Sequence, residues 1–148
     1  MIEQCTNFKE TSEDFKTLLE NKIIEKTEKF NYRSQEIYAY KLTKRGKTVA
    51  KNEGFTTYYS NSKKHDIAHA TNIITNFNDK LDFYHSEKEL KNIPGASRVD
   101  GAIISPEGTI LVETITQNYS KEKIENKRIY AERYSEQHEY VEYLEMKV

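Results

Sequence analysis

One stretch of this chain constrains the fold more than any other. Residues 98–116, RVDGAIISPEGTILVETIT, hold two runs rich in Ile, Val and Thr on either side of Pro106-Glu107-Gly108. β-branched residues favour strands, and a three-residue Pro-Glu-Gly link between two such runs marks a tight hairpin. Elsewhere the chain is polar. Of its 148 residues 36% are hydrophobic and 32% are charged, with a mean hydropathy of -0.89. A core is possible, but a thin one, and the length suits one domain or two very small ones.

Periodicity supplies the flanking elements. Thr11-Ser12-Glu13-Asp14 reads as a helix start, followed by Phe15, Leu18, Leu19 and Ile23 at helical spacing. QEIYAYKL (35–42) alternates like a strand, and Thr43-Lys44-Arg45-Gly46 reads as a turn or as the start of a short helix. Residues 52–64 are mostly polar and carry the domain boundary, drawn at 57/58. From Lys64 a helix runs to Asn76-Phe77-Asn78-Asp79, and a short strand is expected over Leu81–Ser86. After the hairpin, Ser120 caps a charged helix with Ile124, Lys127, Tyr130 and Tyr134 on one stripe, and HEYVEYLEM alternates as a last strand. The order from Lys64 is α-β-β-β-α-β.

Net charge is -1, which excludes a polybasic protein but hides an asymmetry. Residues 1–64 carry 13 basic and 9 acidic side chains, and residues 65–148 carry 10 and 15. Between Ile37 and Asn52 lie Lys41, Lys44, Arg45, Lys47 and Lys51 with no acid among them. Such a stripe can contact phosphate, although a solvated loop is the commoner fate. The single cysteine, Cys5, leaves no internal disulfide framework and suits a reducing compartment. MIEQCTNFKE lacks the apolar segment of a signal peptide, and no run reaches the roughly 18 apolar residues of a membrane helix. A cytoplasmic protein without membrane contact is expected.

The candidate chemistry sits on the hairpin. Asp100 is placed in its first strand and Glu113 in its second, twelve residues apart in between. Carboxylates on adjacent strands offer hard oxygen ligands to Mg²⁺, and such a metal can activate water at a phosphodiester. The plainer alternative is two acids hydrogen-bonded to strand ends.

On these residues the chain resembles the PD-(D/E)xK nuclease superfamily. RVDG (98–101) corresponds to the first half of its motif, with Val99 where proline is usual. VETIT (112–116) corresponds to the second half, with Ile115 where the catalytic lysine is usual. The resemblance implies that Asp100 and Glu113 hold Mg²⁺ and that Lys127, on the next helix, supplies the missing lysine. Lys121 and Lys123 are weaker candidates. The front half, LLENKIIEKTEKF…SQEIYAYKLTKRGK, resembles the end of a winged helix. Together with HDIAHA (65–70) the whole is similar to the replication-relaxation family of plasmid and conjugative-element proteins, over residues 15–135. The implied fold is α+β: a reduced winged-helix-like part (1–57) followed by a small restriction-endonuclease-like α-β-β-β-α-β domain (58–148).

Two further motifs carry less. His65 and His69 stand at i, i+4, but no glutamate follows the first, so the zinc-protease pattern fails. His65 or Asp66 could still serve the carboxylate centre, whereas two helix histidines, one packing and one exposed, are the plainer reading. Tyr58-Tyr59 lacks the His-hydrophobe-His triplet of relaxases.

Three functions follow. The leading one is a DNA-binding accessory protein of a plasmid or mobile element whose nuclease-like domain has lost catalysis, since Ile115 cannot replace lysine. Its partners are double-stranded DNA and other replication or mobilisation proteins, with a homodimer possible, and its DNA contacts are Lys22, Lys26, Lys29, Arg33, Lys41, Lys44, Arg45 and Lys47. The second is an active Mg²⁺-dependent endonuclease using Asp100, Glu113 and Lys127. The third is a protein-interaction module built on helix 120–135.

Overall fold

A computed structural model describes residues 12–55 and 62–148. The fold is α+β and divides into two units, Met1–Lys64 and His65–Val148. The expected boundary at 57/58, and with it Cys5, Tyr58 and Tyr59, lies outside the described residues.

In the first unit, helix α1 (Glu13–Glu20) begins where the Ser12 hydroxyl accepts from the Phe15 amide at 3.2 Å. Glu13 and Asp14 in the first turn complement the helix dipole. Phe15 is buried and meets the Tyr40 ring edge-on, 4.7 Å between centroids. β1 (Ile24–Lys26) pairs antiparallel with β4 (Tyr40–Leu42), and β2 (Phe30–Tyr32) pairs antiparallel with β3 (Gln35–Ile37).

The single strand expected over QEIYAYKL is therefore two strands, broken at Tyr38-Ala39. Thr27 explains the break. Its amide donates to the Ala39 carbonyl at 2.8 Å, while its hydroxyl accepts from the Ala39 amide at 2.9 Å. A side-chain oxygen thus replaces the carbonyl that a continuous ladder requires. KRGK takes the helical one of its two readings. It opens helix α2 (Lys44–Asn52), because the Thr43 hydroxyl caps the Gly46 amide at 3.0 Å.

The second unit runs α3 (Lys63–Phe77), a 3₁₀ segment Asn78–Phe83, β5 (Tyr84–Ser86), a 3₁₀ turn Glu87–Glu89, β6 (Gly101–Ser105), β7 (Gly108–Ile115), α4 (Lys121–Ser135) and β8 (Val141–Lys147). The strand expected from Leu81 is confined to Tyr84–Ser86. The sheet order is β5-β6-β7-β8, antiparallel except for the parallel β7–β8 pair. Alternation along the central strands feeds two cores. Ala102 and Leu111 pack with Val99, Leu90, Ile93 and the α4 residues Tyr130, Ala131 and Tyr134. Ile103 and Val112 pack with Ile73 and Phe77 of α3. The hairpin link is two residues, Pro106-Glu107, with Gly108 opposite Ser105 at φ 142°. A Cβ on Gly108 would meet the Tyr140 carbonyl oxygen at 2.6 Å, so the glycine of the turn signal is required by packing as well. No helix among the described residues is long and apolar enough to cross a membrane.

A Cβ on Gly46 would stand 2.0 Å from the Ile23 carbonyl oxygen. Gly→Ala inside a helix ordinarily stabilises by about 1 kcal/mol. Here Gly46→Ala is expected to destabilise the chain instead, lowering the denaturant midpoint; a raised midpoint would refute the close α2–Ile23 contact.

Candidate functional site

The centre arises because β7 outruns β6. Gly101 is the first β6 residue in register and faces Val112, so Glu113, Thr114 and Ile115 have no β6 partner. Asp100, expected inside the strand, lies just before it. Its carboxylate takes over the ladder there: the Thr114 amide donates to Asp100 Oδ2 at 2.8 Å. In return the Asp100 amide donates to Glu113 Oε2 at 2.9 Å. Each acid thus satisfies an amide of the other strand, and both carboxylates are held on one side of the hairpin.

Lys127 reaches this pair from α4. Its Nζ lies 3.3 Å from Glu113 Oε2 and 3.8 Å from Asp100 Oδ1, and it donates to the Arg98 carbonyl. The side chains of Lys127, Asp100 and Glu113 are 6%, 8% and 0% exposed, so the three charges interact with little solvent between them. Lys127 shares the buried stripe of α4 with Tyr130 and Tyr134, which explains how a charged residue comes to point inward. Lys121 and Lys123 are exposed, and Lys123 Nζ lies over the Tyr119 ring at 3.7 Å. Ile115 is buried at the end of β7.

His65 enters from α3. Its Nε2 is 3.1 Å from Asp100 Oδ2, 3.1 Å from the Thr114 carbonyl and 2.9 Å from the Tyr119 hydroxyl. Its Nδ1 lies 3.8 Å from Asp66 Oδ1. His69 stacks parallel to His65, 6.4 Å between centroids. Both its nitrogens are engaged, Nδ1 with Thr114 Oγ1 at 2.9 Å and Nε2 with the Tyr84 hydroxyl at 3.1 Å. His69 is a packed histidine, while His65 touches the carboxylate centre. His65, expected only as a possible aid to the centre, and Tyr119, not expected there at all, complete the site. The i, i+4 histidine spacing was the signal for His65, and nothing marked Tyr119.

The electrostatics follow from burial and pairing. Hydrogen bonding to Asp100, then to Asp66, pushes the His65 pKa up to about 10. Burial lowers that of His69. Burial would raise Asp100, yet hydrogen bonding and charge from His65, with Lys127, hold it below the usual carboxylate range. Glu113 is pushed up to about 7, by burial and by the Asp100 charge, with Lys127 opposing. Tyr119 is raised by burial and by both acids. Glu113 Oε1 is buried without a hydrogen-bond partner. A buried acceptor left unpaired is costly, so this oxygen invites a ligand. Among the described residues no three His, Cys, Asp or Glu side chains form a group that could hold a metal ion. Two carboxylates are nevertheless what Mg²⁺ commonly takes from a protein, with water and substrate phosphate completing its shell.

The eight basic residues assigned to DNA are dispersed over the first unit. Lys29 pairs with Glu36 at 3.1 Å and Lys41 with Glu25 at 3.3 Å, each across its strand pair. Lys26 Nζ sits 3.3 Å above the Tyr38 ring. Arg33, at φ 47°, lies in the β2–β3 turn, and exposed Lys22 follows α1 at φ 54°. Lys44 and Arg45 are exposed on the first turn of α2, and Lys47 is half-buried. The uninterrupted basic stripe of the sequence is thus partly neutralised in the fold.

No family model, curated protein or solved structure matches the chain.

Both shifts weaken the metal-free protein as pH rises, over different intervals. A histidine raised from 6.5 to about 10 stabilises the fold fully below about pH 6.5, and the contribution is lost as pH rises through 10. Glu113, raised from 4.5 to about 7, favours the fold while protonated and weakens it as pH climbs through that interval. The melting-temperature gap between wild type and His65→Asn should therefore shrink between pH 7 and 10. Glu113→Gln should flatten the decline between pH 4.5 and 7. A gap that widened with pH would contradict the His65–Asp100 pair.

Proposed function

We propose that this chain is a DNA-binding protein whose C-terminal unit cleaves phosphodiester bonds in a Mg²⁺-dependent reaction of the PD-(D/E)xK type. The observation carrying this reading is Lys127, whose ammonium stands 3.3 Å from Glu113 and 3.8 Å from Asp100 although the lysine of the strand motif is Ile115. An ammonium from the following helix occupies the neighbourhood that the strand lysine would serve. The α-β-β-β-α-β order with its β5-β6-β7-β8 sheet supports a restriction-endonuclease-like domain.

Asp100 and Glu113 would hold the cation, with Glu113 Oε1 as the oxygen left over for it. When bound, the metal supplies activation of water and charge neutralisation at the scissile phosphate. Lys127 orients the attacking water and adds positive charge beside the developing phosphorane. Asp100, below the usual carboxylate range, stays ionised. Glu113, pushed up to about 7, would have to be deprotonated to hold a cation.

In the first unit, helix α1 followed by the β1–β4 arm supports a reduced winged-helix module, with the Arg33-Ser34 turn at the arm's end instead of KRGK. Double-stranded DNA would be held by Lys44 and Arg45 on α2 with Lys22 and Arg33. The sequence resemblance to replication-relaxation proteins would direct the activity to plasmid or mobile-element DNA. A second reading, DNA binding without cleavage, is favoured by one observation: Lys127 and His65 already neutralise both acids.

Nicking of supercoiled plasmid in Mg²⁺ or Mn²⁺ separates the two. Asp100→Ala and Lys127→Ala should each lose about 10²-fold or more in rate, as removal of a charge-stabilising group does. Ile115 and Glu113 share a face by strand alternation, so Ile115→Lys should restore part of the Lys127→Ala loss. Well-folded wild type that nicks nothing leaves the binding-only reading.

Binding to duplex DNA should weaken steeply with salt, and Lys44→Ala with Arg45→Ala should reduce the slope of log K against log salt by about two. An unchanged slope removes α2 from the interface.

A further inference from the structure

His65 Nε2 has three oxygens around it: Asp100 Oδ2 at 3.1 Å, the Thr114 carbonyl at 3.1 Å and the Tyr119 hydroxyl at 2.9 Å. One N–H cannot serve three acceptors with good geometry. A carboxylate, a carbonyl and a hydroxyl gathered about one point are instead the hard oxygen set that suits a divalent cation. Asp100 Oδ2 also accepts from the Thr114 amide at 2.8 Å, so its lone pairs are taken while His65 stays in place. Asp100 Oδ1 faces Lys127 at 3.8 Å. Any cation drawn to Asp100 meets one occupied oxygen and one that faces an ammonium.

The occupants differ in how readily they can leave. Lys127 is 6% exposed and also anchored to the Arg98 carbonyl. The Thr114 amide belongs to β7 and cannot move without the sheet. The His65 side chain is 19% exposed, lies near the start of α3, and has Asp66 Oδ1 at 3.8 Å from its other nitrogen. Rotation away from Asp100 would leave the ring that second acid as a partner.

We propose that His65 is a displaceable stand-in for the metal: its ring occupies the oxygen nest of the cation in the metal-free protein and moves off Asp100 when a divalent cation enters. His65 is then neither a metal ligand nor a second packed histidine like His69. It is a positioning residue that keeps Asp100 aimed while the centre is empty and sets the cation concentration at which the centre fills. The inference rests on the cation-binding part of the reading above and not on cleavage.

Calorimetric titration of the full chain with Mn²⁺ tests it. His65→Ala frees a hydrogen bond to a charged oxygen, worth roughly tenfold or more, so Mn²⁺ should bind about tenfold tighter than to wild type. Adding Asp100→Asn to that variant should abolish the gain. Weaker binding by His65→Ala would make His65 a ligand, unchanged binding would separate the two sites, and no binding by either protein would remove the cation; each overturns the proposal. A second measurement needs no variant. In wild-type protein Mg²⁺ should shift the histidine ring NMR signals of His65 while leaving those of distant His138 in place. Signals of His65 that stay fixed as the cation binds would equally overturn it. If wild type cleaves no DNA while His65→Ala gains Asp100-dependent Mn²⁺ affinity, the displacement stands and the nuclease reading falls.

Discussion

The exchange of amides between Asp100 and Glu113 is the constraint on which the second unit turns. β6 begins at Gly101 opposite Val112, and the next three β7 residues keep β8 on one side but have no β6 strand on the other. Asp100 accepts from Thr114, and Glu113 accepts from Asp100. Two side chains thereby finish a ladder that the backbone leaves incomplete. The same act fixes both carboxylates side by side, because each is held to the other's strand. Structure and site here share one set of hydrogen bonds.

That arrangement creates an electrostatic demand. Two buried acids that share one lysine strongly disfavour each other's charge unless cations stand beside them. The unit meets the demand from both faces of its sheet, with Lys127 from α4 and His65 from α3. The balance is uneven. Asp100 has both cations and is held in its charged form, while Glu113 has Lys127 alone and is pushed up to about 7. Two acids with separated proton affinities in one recess differ in what they hold: one keeps its charge, and the other keeps its proton more readily. The unpartnered Glu113 Oε1 belongs to the second.

Much of the second unit was legible in the sequence, for local reasons. The hairpin, the Ser120 cap, the inward stripe of α4 and the closing strand each depend on residues a few positions apart. Lys127 was named through the resemblance, and the stripe it shares with Ile124, Tyr130 and Tyr134 puts it on the face that covers the sheet. Less was legible where a side chain replaces a backbone group. Thr27 breaks the strand pair with its hydroxyl, and Asp100 stands outside β6 because its carboxylate continues the ladder. Neither leaves a mark in hydrophobic periodicity. The ion pairs of the basic residues were hidden for a related reason: composition counts Lys29 and Lys41 but cannot see Glu36 and Glu25 beside them in the fold. Tyr119 was unreadable because its role depends on three elements meeting around His65.

The position of the lysine shows what the centre constrains and what it leaves free. An ammonium beside two carboxylates is defined by where its nitrogen stands, not by the element that carries it. A lysine two residues after Glu113 would share that acid's face on β7. Ile115 holds that place instead and is buried at the strand's end, beside β8. α4 crosses from β7 to β8 and covers the sheet, so a long side chain on its buried stripe can reach the same acids from above. Moving the ammonium to α4 keeps the strand end apolar. It also ties the charge to the Arg98 carbonyl, just ahead of Asp100, so that helix, hairpin entry and acid pair are locked by a single nitrogen. A cation fixed in this way has little freedom to leave, which makes the more exposed His65 the group through which the charge of the centre can change.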